Sequence, residues 1–390
     1  MVERAEGSPR GIRTDTVSGG PSGLRPASLR SPLGGSARGT WGAWAIMPAL
    51  IALLSRGYSV ALVFFANAHS HPHRRNPFAA WDAEWYIRVA QRGYHATPQA
   101  LSVTNLHYDF AFFPLWPVAI HLSTLGVLPA VASSVLLANV LFVAAAVLTW
   151  RLLAERFDAA LATRALLLLA FSPAAYVFSL AYSEPLFLLL AAAYFLNRGK
   201  DRRQGVLAFL AMLARIAGAA IVASAACVAL RTRGPERRAA LLAIAAGCAG
   251  FAAWWIFIAL LMQNPFGFML GSPSWGRSAG VIQILDLVRH HDPRRIAALA
   301  FTALVFLGAL LSLRRDCELG VYAVTAVALG LLPGGLISSM PRYSLIAFPA
   351  FAGLAQRLGR RGTFLAAVAF AAAQWWFVSW SFVFPHVQPP

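Results

Sequence analysis

Apolar runs long enough to cross a lipid bilayer recur along most of the chain. A helix needs about 20 consecutive apolar residues to span the hydrocarbon core, because its backbone polar groups find no water there. Only 12% of the 390 residues are charged and 58% are hydrophobic, whereas soluble domains carry roughly 25% charged residues. The sequence therefore predicts an all-α polytopic membrane protein. The apolar runs lie at 41–67, 128–151, 160–179, 182–197, 203–231, 238–262, 296–314, 318–337, 344–357 and 362–384.

The basic residues between these runs predict how the chain is threaded through the membrane. Cytoplasmic loops are enriched in Lys and Arg, and short basic loops occur here at 151–158, 198–203, 231–238, 314–315 and 357–361. Nearly all of them fall on one side if 203–231 is a re-entrant helical hairpin with Arg215 and Gly218 near its tip. We therefore predict about nine to eleven transmembrane helices. The loops that face outward are then 68–127, 263–295 and 337–343.

The chain divides by composition into three parts. Residues 1–40 are rich in Gly, Ser, Pro and Arg, cannot bury enough apolar surface to fold, and are predicted to be a disordered basic cytoplasmic tail. Residues 41–384 form the membrane domain, and 385–390 a short external tail. The net charge of +18 comes with the basic loops, so we expect membrane lipids rather than nucleic acid as a partner. The expected location is the plasma membrane, with many crossings.

Two carboxylates stand together in the first outward loop, in the segment WDAEWYIRVAQRGY. On a helix of about 100° per residue, Asp82 shares a face with Trp85 and Tyr86, whereas Glu84 lies on the opposite face. Glu84 is also placed to pair with Arg88 one turn later. Asp82 is either a residue that favours the helix N-terminus or a functional carboxylate, since an unpaired acid on a packing face is costly.

Further charged residues in the outward segments are candidates for a site. Asp109, in the segment YDFAFFPLWP, is either a second acid of the site or a turn cap. Glu184, in YSEPLF, is a second candidate acid or a residue that favours a helix start. Arg277, in SPSWGRS, and Arg342, in SSMPRYS, can bind phosphate with two prongs, or can anchor the chain at lipid headgroups.

Common nucleotide and metal motifs are absent from the sequence. It contains no DxD that could hold the metal of a nucleotide-sugar, no P-loop, no GxGxxG after a strand and no GxSxG. Its three cysteines form no CxxC pattern and predict neither a disulfide framework nor a zinc site.

Taken in order, these motifs resemble the PIG-V-type mannosyltransferases. The similarity is carried by WDAEWYIRVAQRGY, FAFFPLWP, YSEPLF, LARIAG, WGR and PRYSLIAFPAF, and it runs from about residue 41 to residue 384. The resemblance implies a GT-C-type helical bundle that transfers mannose from a polyprenyl phosphate at the external face, onto a glycolipid or cell-envelope glycan. It implies no metal and no cofactor.

The resemblance also implies roles for individual residues. Asp82 is the residue that matches the family's catalytic acid in the first outward loop. The donor phosphate is assigned to Arg342, Arg277 and Arg215. The residues expected to line the substrate are Trp81, Trp85, Tyr86, His107, Trp275 and Tyr343.

Three other functions fit parts of the sequence. Composition does not distinguish a mannosyltransferase from a GT-C enzyme for another prenyl-linked sugar, such as arabinofuranose or glucose. A transporter or flippase would concentrate its charges at mid-bilayer, whereas most charges here lie at loop ends. A purely structural membrane subunit would show no effect when Asp82 is substituted.

Overall fold

The computed structural model describes residues 43–70, 74–100, 106–271, 292–331 and 339–383. The two predicted tails, 1–40 and 385–390, lie outside these residues, as do Trp275 and Arg277. Within them the chain is helical, apart from 3₁₀ turns, loops and a two-residue antiparallel pair of strands, β1 (Gln99–Ala100) and β2 (Leu106–His107). The helices are α1 (Ala43–Ala68), α2 (Asp82–Arg92), α3 (Leu115–Ser123), α4 (Ala130–Arg156), α5 (Ala159–Ala170), α6 (Glu184–Leu196), α7 (Asp201–Ala214), α8 (Ala219–Arg231), α9 (Gly234–Met262), α10 (Pro293–Leu313), α11 (Cys317–Leu331), α12 (Met340–Ser344) and α13 (Phe348–Val383).

Five of these helices are long and apolar enough to cross a membrane, namely α1, α4, α9, α10 and α13. Shorter apolar helices add to them: α5, α6, α8 with the turn before it, and α11. The predicted all-α polytopic class is therefore confirmed. Most of the last two predicted runs, 344–357 and 362–384, lies in α13 (Phe348–Val383), which is broken at Gly359, where φ is 63°. Glycine adopts this backbone conformation without strain.

The segment 203–231 folds as a helical hairpin. Asp201 at the start of α7 pairs with Arg238 of α9 at 2.9 Å, and α8 ends at Arg231, just before α9 begins. Both arms therefore begin and end at the same end of α9, and the chain turns at 215–218. A Cβ on Gly218 would lie 2.6 Å from the Cα of Met212, so only glycine allows this close turn.

Helices α5 and α6 form a second pair of short arms, joined by the irregular segment 171–183. Unpaired carbonyl groups in this segment would be costly inside a membrane protein. Arg56, near the middle of α1 and buried, donates hydrogen bonds to this segment and to the last residue of α5. Its guanidinium donates to the carbonyl oxygens of Ala175 at 2.7 Å and Ala170 at 3.4 Å, and to the hydroxyl of Ser179 at 3.1 Å. It also lies over the Phe142 ring, 4.3 Å from the centroid.

Ion pairs join the predicted cytoplasmic loops at one end of the bundle. Arg156 bridges Asp316 and Glu318, at 2.8 Å to each. Arg198 contacts the same Glu318 at 3.1 Å and Glu236 at 3.2 Å. Four of the basic loops therefore meet at one end, as a common side of the membrane requires. That this side is the cytoplasmic one remains a prediction from the charge bias.

We expect Arg56→Met to destabilise the protein, because it leaves the carbonyl groups of Ala170 and Ala175 without these donors, at about 1–3 kcal/mol for each unsatisfied buried group. Thermal unfolding in detergent should show a lower midpoint than wild type, with Arg56→Lys in between. Arg151→Met, which removes a more exposed arginine, is the control. An Arg56→Met protein as stable as Arg151→Met would contradict this role.

Candidate active site

Asp82 begins α2 at the end of the bundle opposite the basic loops. Helix α2 runs from Asp82 to Arg92, as its periodicity predicts, and a carboxylate in the first turn interacts favourably with the helix dipole. The preceding Trp81 has φ 56°, a conformation that costs a non-glycine residue of order 1–3 kcal/mol and persists only where surrounding contacts impose it. The Trp81 ring packs edge-on against Phe382, with the centroids 5.0 Å apart.

Arg342 brings the far end of the chain onto Asp82. Its Nη1 lies 2.6 Å from Oδ2 of Asp82, and its Nε lies 3.4 Å from Oε1 of Glu184. Its Nη2 donates to the hydroxyl of Tyr343 at 3.0 Å. The guanidinium carbon contacts two rings, 4.9 Å from the centroid of Tyr182 and 4.8 Å from that of Tyr343. This guanidinium therefore combines two ion-pair contacts, one hydrogen bond and two aromatic contacts.

Glu184 joins a second arginine to the group. Arg215, from the tip of the α7–α8 hairpin, lies 2.8 Å from Oε1 of Glu184 and also donates to the hydroxyl of Ser183 at 2.8 Å. The four side chains Asp82, Arg342, Glu184 and Arg215 thus alternate in sign, and we call them the charge chain. Buried charges of this kind persist only when they are paired.

The two carboxylates of the charge chain differ in access. The side chain of Asp82 is 24% exposed, whereas those of Glu184 and Arg342 are 1% and 4% exposed. A small molecule can therefore approach Asp82, while Glu184 is enclosed between its two arginines. Glu184 contacts both arginines, and Asp82 is the more accessible of the two carboxylates.

A cluster of aromatic side chains packs on the α2 face that follows Asp82. Tyr86 and Trp85 are buried and both pack on Phe112. The hydroxyl of Tyr86 lies 2.9 Å from that of Ser183, and burial raises the pKa of Tyr86 to about 12, so this phenol stays protonated. Trp85 and Tyr86, which are predicted to line the substrate, are buried in this packing.

Asp109 takes no part in the charge chain. Its buried carboxylate lies 2.7 Å from Nδ1 of His95 and accepts from the backbone N–H of the same residue. Burial raises the pKa of the Asp109 carboxyl, and the hydrogen bonds from His95 oppose that rise. Of the two roles left open by the sequence, the contacts of Asp109 are those of a residue that fixes the loop after α2.

The remaining predicted residues fall into two groups. Trp81, His107 and Tyr343 are partly exposed, and His107 packs edge-on against Trp85. Glu84 is exposed, as predicted. Its predicted ion pair with Arg88 is not formed in the structure as described: Arg88 lies over the Trp85 ring instead, because stacking on an indole competes well with an exposed ion pair.

Sequence reasoning missed Ser183 and Tyr182 as parts of the site. Both stand in the YSEPLF segment beside Glu184, but one hydroxyl and one phenol next to an acid are too common to signal a site. Their roles follow from contacts with Arg215 and Arg342, which lie 32 and 160 residues away from them.

Comparisons with known proteins place the chain in a family and a fold. The sequence family described as mannosyltransferase (PIG-V) matches residues 46–268. The structure is similar to ArnT from Cupriavidus metallidurans bound to undecaprenyl phosphate, with a TM-score of 0.52 and 16% identity over 82% of this chain and 62% of that one. The fold is therefore that of the GT-C glycosyltransferases, as predicted.

A second similar structure is the Archaeoglobus fulgidus oligosaccharyltransferase in the apo form, at a TM-score of 0.49 and 12% identity over 86% of this chain and 55% of that one. The chain thus spans less than two thirds of the length of either protein. No curated protein matches the sequence.

We expect Glu184→Gln to lower the stability of the protein, because Arg342 and Arg215 would lose the carboxylate between them. Breaking a buried ion pair from one side costs about 3–5 kcal/mol. The apparent Tm in detergent should fall by several degrees, whereas Glu84→Gln, at an exposed position, should leave it unchanged. Equal Tm values for the two variants would show that Glu184 does not hold the arginines together.

Proposed function

Because the chain belongs to the PIG-V mannosyltransferase family and is therefore a membrane glycosyltransferase, we propose that it transfers mannose from a polyprenyl phosphate to a glycolipid or cell-envelope glycan. The observation that carries the mechanism is the ion pair between Asp82, the accessible carboxylate, and Arg342 at 2.6 Å. It places a proton acceptor directly beside a buried guanidinium cation.

In the proposed reaction Asp82 is the general base, which takes a proton from the acceptor. A hydroxyl of the acceptor gives its proton to Asp82 while its oxygen forms a bond to the anomeric carbon of mannose. The bond between that carbon and the phosphate oxygen breaks, and its electron pair stays on the phosphate. Attack comes from the face opposite the leaving phosphate, so the configuration at the anomeric carbon is inverted.

This step moves one negative charge from Asp82 to the prenyl phosphate. The carboxylate becomes neutral as it takes the proton, and the phosphodiester becomes a phosphate monoester with one more negative charge. Arg342 is paired with Asp82 before the reaction. As Asp82 becomes neutral this ion pair weakens, and the Arg342 guanidinium can interact with the negative charge that grows on the leaving phosphate. An interaction that strengthens in this way lowers the barrier rather than only improving binding.

A lipid-linked donor suits this position. The charge chain lies at the end of the bundle opposite the basic loops, which by the positive-inside tendency is the external side, where sugar nucleotides are not supplied. ArnT, which shares the fold, was crystallised with undecaprenyl phosphate. The partly exposed residues Trp81, His107 and Tyr343 offer contact surface to the sugar and the lipid.

The function is tested by Asp82→Asn against Glu84→Gln in membranes at matched protein levels. Labelled polyprenyl-phosphate mannose is supplied, and label in the acceptor fraction is measured. The amide keeps the shape of Asp82 but cannot take a proton, so transfer should fall by about 10²–10⁴-fold, whereas Glu84→Gln should stay near wild type. Wild-type transfer from prenyl-phosphate arabinofuranose or glucose, but not mannose, would refute the donor assignment. Full activity in Asp82→Asn would refute the base.

Arg342→Lys tests the charge transfer. Lysine keeps the positive charge but cannot reach Asp82, Glu184 and Tyr343 together, and one hydrogen bond to a charged group is worth about 1.5–3 kcal/mol. We expect kcat to fall by at least about tenfold, with a smaller change in the KM for the donor. A variant with unchanged kcat would remove Arg342 from the transition state.

A further inference from the structure

The charge chain is neutral as a whole. Asp82 and Glu184 carry two negative charges, and Arg342 and Arg215 carry two positive ones, each within ion-pair distance of a carboxylate. A prenyl-linked sugar phosphodiester carries one negative charge before the reaction. A neutral group gives such an anion little net attraction. The donor therefore needs a cation that protein carboxylates do not already neutralise.

Arg74 is a cation of this kind, and it contacts the ring of Trp81, the residue before Asp82. It lies between α1 and α2 and is partly exposed. Its guanidinium carbon lies 5.3 Å from the centroid of the Trp81 ring, and Trp81 directly precedes Asp82. Among the residues that the structure describes, no carboxylate forms an ion pair with Arg74.

The backbone of Arg74 is held in place, unlike that of an ordinary surface arginine. The side-chain amide of Asn67, at the end of α1, donates to the carbonyl oxygen of Arg74 and accepts from its N–H, both at 3.0 Å. Arg74 is thus fixed at its backbone by Asn67 and at its guanidinium by the Trp81 ring. The next residue, Arg75, is exposed.

We propose that Arg74 binds the phosphate of the lipid-linked donor before the chemical step. A guanidinium that stacks on an indole keeps the N–H groups on its edges free for two phosphate oxygens. This inference rests on the proposed function and divides the work between two arginines. Arg74 binds the phosphodiester in the ground state, and Arg342 stabilises the negative charge that develops in the transition state.

The division predicts a kinetic signature. A contact that is equally strong in the ground state and the transition state changes KM and leaves kcat alone. In Arg74→Ala the KM for polyprenyl-phosphate mannose should rise by about tenfold or more, as expected for a lost hydrogen bond to a charged group, with kcat near wild type. Arg74→Lys should be intermediate, and Arg75→Ala should match wild type. A fall in kcat alone, or equal effects of Arg74→Ala and Arg75→Ala, would overturn the assignment.

A binding experiment separates this inference from the proposed function. The purified protein in phosphatidylcholine nanodiscs is titrated with undecaprenyl phosphate, which carries no sugar, and tryptophan fluorescence is recorded. We expect Arg74→Ala to bind at least about tenfold more weakly than wild type and Arg75→Ala. Binding that depends on Arg74, in a protein that transfers no mannose, would keep this site and reject the mannose donor. Equal binding by wild type and Arg74→Ala, or no binding at all, would reject the site.

The same phosphate chemistry could come from membrane headgroups, so a third arm uses nanodiscs that contain phosphatidylglycerol and no prenyl lipid. Arg74→Ala and Arg75→Ala should then behave alike, since neither arginine is expected to select a headgroup. A loss of phosphatidylglycerol binding confined to Arg74→Ala, as large as the loss for undecaprenyl phosphate, would show a headgroup site and overturn the donor assignment.

Discussion

The alternation of charge along Asp82, Arg342, Glu184 and Arg215 is the interaction on which the rest of the site depends. A single charge buried in an apolar bundle is costly, and removing one member of a buried pair leaves its partner uncompensated. Glu184 contacts both arginines, so it joins the hairpin tip to the segment before α13. The α2 N-terminus is joined through Arg342. Segments that are far apart in sequence are thereby held in one place by one constraint.

Short helical arms make this constraint compatible with a membrane. Helix α6 has 13 residues and α7 has 14, so each rises only about 20 Å at 1.5 Å per residue. Helix α6 runs from Glu184 of the charge chain to the basic loop at 198–203, and α7 runs from that loop to Arg215 of the charge chain. The cost of such arms is irregular backbone between them, and Arg56 offsets that cost at 171–183 with donors from the middle of α1.

The neutrality of the charge chain shapes how a glycosyltransferase can work here. A neutral group suits the proposed reaction, in which Asp82 would lose a negative charge as it takes the proton and the leaving phosphate would gain one. The same neutrality makes the group a weak attractor for an anionic donor. For this reason donor binding is assigned to an arginine outside the charge chain and stabilisation of the transition state to one within it.

The sequence by itself determined the class of protein, because the length of an apolar run and the charge of a loop are local features, and they decide which segments cross a bilayer and which loops stay in the cytoplasm. It also indicated Asp82 by its helix face, and the 203–231 hairpin by the need to keep basic loops together. Tertiary structure decided the partnerships. Arg342, assigned to the donor phosphate, forms an ion pair with Asp82. Glu184, a candidate second acid, contacts two arginines. Asp109, the other candidate acid, pairs with His95. These outcomes rest on contacts across 14 to more than 250 residues of chain, which no local pattern encodes.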